Sequence, residues 1–384
     1  MARTLKSDRW LFLITLLLVG TSILMVYSAS AVKALDEHHS RYYFLFKQLS
    51  WAVLGFGVLF VGMRVDYRLY RKPAVIWSLL VMTVTLLVAV FFSPTINNTK
   101  RWLSLGFGTF QPAELAKIVV VLFTAAVLER RMHRINEVLY SLLPIAFVTF
   151  ALVGLIVAQP DFGTSAVIVG IMCSMVFVAG IKYRYLILSM AILGPAAAAV
   201  ILAADYRTMR VISFLDPWAD PDRSGYQVIQ SMLAIGSGGL FGRGLMEGVQ
   251  KLYYLPEAHT DFIYAVIGEE FGLIGTMAVL ACFVLIAWRG MRVALFAPDR
   301  FGSLLAIGIT MAITLQAFFN MSVVMSLLPT KGIPLPFVSN GGSSLLISMA
   351  CMSVLLNISQ QASAAGQTAL STSGQGWQLE RQEA

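Results

Sequence analysis

Asp261 closes the run Leu255-Pro256-Glu257-Ala258-His259-Thr260-Asp261, where a long polar stretch gives way to an uncharged apolar one. A carboxylate held where water meets hydrocarbon is expensive to bury. Partial burial raises its pKa, and a raised pKa makes it a better proton acceptor. Proton abstraction is the chemistry such a group offers. The structural alternative is a cap on the helix that follows.

Further stretches break the apolar pattern. Lys100-Arg101-Trp102 precedes Gln111-Pro112-Ala113-Glu114-Leu115-Ala116-Lys117. Pro112 suits the first turn of a helix, and Glu114 and Lys117 then share one face and can pair. They form either a structural ion pair or one wall of a substrate cavity, with Arg101 reaching a phosphate. Gln159-Pro160-Asp161-Phe162-Gly163-Thr164 sets an acid between Pro and Gly, as a helix cap or as an opening toward a cavity. Residues 216–221 read as turns, 224–233 as an amphipathic helix, and 236–244 as a glycine-rich run. That run could cradle phosphate, but it lacks the strand–loop–helix context of a nucleotide-binding loop, so a flexible hinge is expected. Arg243 and Lys251 beside it could meet a diphosphate, or be solvated charges. In Leu328 to Phe337, Pro329, Pro334 and Pro336 exclude a continuous helix, while Gly341-Gly342-Ser343-Ser344 allows close backbone approach. Asn320, alone in an apolar run, predicts a helix–helix hydrogen bond.

The elements that must position these residues follow from composition. Of 384 residues, 58% are apolar and 12% charged, about half the roughly 25% charge of a soluble domain. Uncharged runs near 10–31, 45–63, 73–93, 113–128, 139–158, 163–181, 185–204, 262–288, 303–326 and 341–359 predict ten membrane-spanning helices in an all-α polytopic bundle. The first imitates a signal peptide, but Trp10 to Val32 is longer than such an apolar region, which makes it an uncleaved span. Arg3, Lys6, Arg9, the 64–72, 130–134 and 182–184 clusters, Arg289, Arg292 and Arg300 all fall on one side, taken as cytoplasmic. The plan is then a cytoplasmic N-terminus over 1–9, a transmembrane domain over 10–359 with a large extracytoplasmic loop over 205–261, and a disordered cytoplasmic tail over 360–384. Both termini lie inside. The net charge of +8 belongs to these loops and points to no nucleic acid. Cys173, Cys282 and Cys351 sit in apolar runs, an odd count without metal spacing, and the four histidines form no cluster, so no metal ligand set is expected.

Six stretches, in order, resemble the motifs of the SEDS family (shape, elongation, division and sporulation) of bacterial membrane proteins. They are Arg101-Trp102 with Gln111, Pro112, Glu114 and Lys117; the 159–164 run; Gly225-Tyr226-Gln227 with Gln230-Ser231; 236–240; 255–262; and 328–337 with 341–344. The resemblance covers roughly residues 10–360. Glu257-Ala258 and Thr330-Lys331-Gly332 look like the family's cell-division branch more than its rod-elongation branch. Asn340, Ala113 and Met246 stand where the family usually has Tyr, Ser and Gly.

The resemblance implies a peptidoglycan glycosyltransferase of the bacterial plasma membrane, working at the division septum and polymerising lipid II, with Asp261 as the catalytic aspartate. Candidate substrate contacts are Arg101, Gln111, Glu114, Lys117, Asp161, Arg243, Lys251, Glu257, His259, Lys331 and Ser343. Implied partners are a class B penicillin-binding transpeptidase and other divisome membrane proteins. One base suffices, because a diphosphate departs without a proton; the paired carboxylates of glycoside hydrolysis are not required. A divalent cation, Mg²⁺ or Mn²⁺, is an open cofactor. The rival readings are a lipid II flippase and a scaffold that recruits the transpeptidase.

Overall fold

The computed structural model describes residues 7–95, 99–104, 106, 108–135, 137–202 and 205–380. The ends of the two expected terminal segments, 1–6 and 381–384, lie outside the described residues. The helices are α1 (Arg9–His38), α2 (Tyr43–Gly62), α3 (Pro73–Ala89), α4 (Pro112–Arg131), α5 (Val138–Ser141), α6 (Leu143–Ala158), α7 (Phe162–Val178), α8 (Tyr183–Leu202), α9 (Asp205–Leu215), α10 (Tyr226–Gly238), α11 (Ile263–Leu295), α12 (Arg300–Val324) and α13 (Gly342–Glu380). A two-residue hairpin, β1 (Leu103–Ser104) and β2 (Thr109–Phe110), pairs Leu103 with Phe110.

The ten longest helices occupy the ten predicted stretches. By length and composition, six segments among the described residues can cross a membrane: α1, α2, Pro73–Phe92, α11, α12 and Gly342–Ala362. The helices α6 and α7 are apolar but shorter. The fold class is therefore that of an all-α membrane bundle. Loop 205–261 carries two helices, α9 (11 residues) and α10 (13 residues), and is otherwise mostly turns. The backbone of α13 stays helical to Glu380, over the stretch whose polar composition predicts disorder; its Ala, Gln and Leu residues are good helix formers.

Packing runs inside out, as a bilayer demands. Leu17, Phe60, Trp77, Val81, Ile274 and Met277 point outward and are exposed. The centre is α12, which packs on α4, α7 and α11 and is buried along most of its length. Its buried Thr310 and Thr314 donate to the carbonyls four residues back, which satisfies them where water is absent. Farther along α12, Gln316 and Asn320 reach out of the helix toward the polar face of the molecule.

Candidate functional site

Asp261 sits in a tight turn ahead of α11. The N–H groups of Thr260 and Phe262 both donate to the Glu257 carbonyl, at 3.1 and 3.3 Å. The Thr260 hydroxyl donates to Glu257 Oε2 at 2.9 Å. Glu257 itself adopts φ +54°, a left-handed conformation that a non-glycine residue holds only when its surroundings enforce it. The residue flanking α11 is Phe262, and no side chain caps that helix. Asp261 is thus not a helix cap, and its carboxylate is left for other work.

A second loop, 329–340, lies against this turn. Asn320 Nδ2 donates to the carbonyls of Asp261 (2.8 Å) and Ile333 (2.7 Å). It joins two loops and not the two helices predicted, because α12 ends beneath both. Ser339 Oγ donates to Thr260 O at 2.6 Å, and the Asn340 N–H donates to His259 O at 3.1 Å. Gly332 passes so close that a Cβ there would stand 2.8 Å from Asp261 Oδ2. Only glycine lets this strand of chain form the wall beside the carboxylate.

The two loops enclose a cavity of about 430 Å³. Five of the predicted residues line it: Arg101, Gln111, Glu257, Asp261 and Lys331. The cavity also takes Lys47 and Trp51 from α2, Arg210 from α9 and Gln227 from α10. Arg101 donates to the carbonyls of Gln159 and Pro160 at 3.1 and 2.6 Å, and Arg210 to that of Thr330 at 3.1 Å. The Lys331 ammonium lies 5.0 Å from the centre of the Phe162 ring, a cation–π distance. Four cations thus share one cavity with two carboxylates. Burial pushes the Asp261 carboxyl up to about 7; the nearby Glu257 and Asp161 carboxylates add to this, and Arg101 and Arg210 oppose it. Such a group is poised as a base near neutral pH.

The remaining predicted contacts do other jobs. Asp161 caps α7 through the Thr164 N–H (3.1 Å) and accepts from Gln111 Nε2 (3.2 Å). Ser343 Oγ accepts from the Gln111 N–H (3.2 Å) and donates to Thr109 O (2.8 Å), tying α13 to the start of α4. Glu114 and Lys117 form a buried pair at 2.9 Å. Lys117 also donates to Gln316, whose amide donates to Pro334 O at 2.8 Å. This charge pair supports the 329–340 loop from below and does not line the cavity. His259 is buried beside Phe44, ring centres 5.2 Å apart. Burial, aided by Lys33, lowers its imidazole to about 4, so it is neutral and serves packing.

Arg243 and Lys251 do not line this cavity; both are held by α11. Lys251 Nζ donates to Glu270 Oε1 at 2.5 Å, and Arg243 stands 3.6 Å from Glu269. The glycine-rich run is no hinge. At Gly272, φ +64° interrupts α11, and the run supplies what the break leaves unpaired. The N–H groups of Arg243 and Gly244 donate to the Glu269 and Glu270 carbonyls, and those of Leu273 and Ile274 donate to Gly239 and Leu240. A Cβ at Gly242 would fall 2.1 Å from Glu270 O, so close packing, not flexibility, selects this glycine.

Sequence reasoning missed Lys47, Trp51, Arg210 and Gln227. Lys47 carries a usable signal, a lone cation early in an apolar helix. Arg210 lies in α9, which has helical periodicity within a stretch read as loop. Among the described residues no group of three or more His, Cys, Asp or Glu side chains could hold a metal. The cavity itself brings together two carboxylates, Asp261 and Glu257.

Residues 8–364 match the FtsW/RodA/SpoVE family model, described as "Cell cycle protein". The probable peptidoglycan glycosyltransferase FtsW of Geobacter sp. strain M18 is 42% identical over 94% of this chain and 98% of that protein. Stage V sporulation protein E of Bacillus subtilis is 40% identical over 92% of this chain and 97% of that protein. Among solved structures, a chain of a peptidoglycan synthase complex, solved for its coordination of polymerization and crosslinking, superposes with a TM-score of 0.76 at 30% identity, covering 93% of this chain and 99% of that one. A family model matched over residues 8–364, with relatives 40–42% identical over more than nine-tenths of the chain, places this protein in the FtsW/RodA/SpoVE family.

Proposed function

We propose that the chain is a peptidoglycan glycosyltransferase that polymerises lipid II during septal wall synthesis. One observation carries the reading. A single carboxylate pushed up to about 7 shares its cavity with Lys47, Arg101, Arg210 and Lys331. Asp261 takes the proton of the acceptor sugar's C4 hydroxyl as that oxygen bonds to C1 of the donor. The C1–phosphate bond breaks, and its electron pair leaves on undecaprenyl diphosphate. Attack opposite the leaving group inverts C1. The four cations stabilise the charge that develops on the diphosphate, and holding two anchored sugars in place supplies much of the acceleration. Any Mg²⁺ or Mn²⁺ used would arrive on the diphosphate, since the described residues offer no group of three or more His, Cys, Asp or Glu side chains for an ion of their own.

The cavity opens on the extracytoplasmic side in this reading. The helix α4 supports it: Gln111, the residue that precedes it, lines the cavity, whereas Arg130 and Arg131 end the same helix within an arginine-rich loop region. Both termini then lie in the cytoplasm. A class B penicillin-binding transpeptidase would extend the product, as the synthase-complex likeness suggests. Other divisome membrane proteins would place the pair at the septum. The decisive test uses the purified chain, with and without its transpeptidase, in liposomes carrying lipid II. Glycan chains that vanish in Asp261→Asn support the reading. Leaflet exchange without polymer makes the chain a flippase, and neither activity makes it a scaffold.

A further inference from the structure

A second cavity, of about 690 Å³, lies between α3, α4 and α6. It sits at the other end of the bundle from Asp261. The helix α4 begins at the site cavity and reaches this one with its last residues, Arg130 and Arg131, 20 residues on, a span of roughly 30 Å. The floor is apolar and buried, formed by Ile76, Leu80 and Leu152. The rim faces the bundle's outer surface, with Trp77 56% and Phe147 73% exposed.

One end of this groove is built for an anion. Pro73 and Pro144, in the first turns of α3 and α6, both line it. The capping residues, Lys72 and Leu142, make no side-chain cap. The first turns of α3 and α6, with the positive ends of their dipoles, therefore lie at the same place. Arg130 and Arg131 line that end as well. Neighbouring carboxylates have their own cations: Glu129 pairs with Arg71 at 3.0 Å and Glu137 with Arg134 at 3.8 Å. Arg131 lies over the Tyr140 ring at 4.6 Å and donates to the Tyr140 carbonyl, which fixes its position. A basic pocket between membrane helices, continuous with an apolar groove, has the chemistry of a lipid headgroup site.

We propose that this groove binds an anionic glycerophospholipid. Its phosphate rests against Arg130, Arg131 and the first turns of α3 and α6, and an acyl chain lies along Leu80, Phe123 and Phe147. Free phosphate would leave the apolar length unused, and a zwitterionic lipid would bring a cation to a cationic end. In the orientation proposed above this is the inner leaflet, although the binding itself does not depend on that orientation or on the catalytic reading.

The test titrates the purified full chain in neutral detergent with phosphatidylglycerol, phosphatidylcholine and inorganic phosphate. Retained lipid is read by native mass spectrometry and stabilisation by the thermal midpoint. Phosphatidylglycerol is expected to bind about 30-fold tighter than phosphatidylcholine, since each of the two arginines near the headgroup favours negative charge by about 1 kcal/mol. The double variant Arg130→Gln/Arg131→Gln should lose that preference. Ala151→Trp, which fills the groove from its lining, should weaken both lipids and serves as the second variant if the first folds poorly. Equal binding of the two lipids, a preference that survives the double variant, unchanged binding in Ala151→Trp, or stabilisation by phosphate equal to that by lipid would each overturn the proposal.

Discussion

Two groups of carboxylates stand within ten residues of each other, and their surroundings give them opposite roles. Glu269 and Glu270, inside α11, are saturated with donors. Glu269 accepts from the N–H groups of Val249 (2.8 Å) and Gln250 (3.2 Å). Glu270 accepts from Ser28 Oγ (2.6 Å), the Met246 N–H (3.1 Å) and Lys251 Nζ (2.5 Å). They clamp loop 246–251 to the broken helix. Asp261 is pressed instead by burial and by two other carboxylates, with glycine as its nearest wall. A carboxylate whose charge is met by donors builds structure. One whose charge is disfavoured is available to take up a proton.

The contrast can be broken by substitution. The largest effect belongs to Asp261→Asn: polymerisation of lipid II should fall by about 10²–10⁴-fold, with the thermal midpoint unchanged or raised. A lowered midpoint would make Asp261 a structural residue like its neighbours. Glu270→Ala should do the reverse and destabilise the fold by about 3–5 kcal/mol, because Lys251, only 6% exposed, loses the partner of its buried charge. Denaturation of the purified variant measures this, and a stable but inactive protein would end the distinction. Gly332→Ala places a methyl group against the Asp261 carboxylate. A displaced base should reduce turnover by up to roughly 10²-fold while polymer length and thermal midpoint hold.

The smallest effect sharpens the electrostatics. Activity requires the ionised carboxylate, so the rate should drop as pH falls through about 7. Glu257→Gln removes a repelling charge and should move that midpoint down, whereas Arg210→Ala removes an opposing cation and should move it up. A pH–rate profile indifferent to both would detach the perturbed group from the chemistry. Linkage adds a sign. A carboxyl raised in the folded state binds its proton there first, so its contribution to stability is fully present below the unfolded value near 3.8 and is lost as pH rises toward 7. The site is most stable where it is least active.

Much of this was legible in the residues themselves. Charge depletion and apolar run length located ten helical stretches, six of them long and apolar enough to cross a membrane, because a helix satisfies its own backbone in a bilayer. Pro112 and Asp161 announced the starts of α4 and α7 through purely local chemistry. The pairing of Glu114 with Lys117 needed only helical spacing.

What the sequence alone determined was the long apolar helices and the acid at the start of α11. The tertiary structure decided which cations share the cavity with that acid. Lys251 and Arg243 lie nearer to Asp261 in the chain than Lys47 or Arg210, yet α11's buried glutamates hold them elsewhere. Lys47, Arg101, Arg210 and Lys331 come from four separate parts of the chain and meet only when α2, α9 and two loops close over the turn before α11. Spacing along the chain encodes what a single helix or turn can satisfy. Which charges meet across the bundle depends on how whole elements pack, and no local pattern records that.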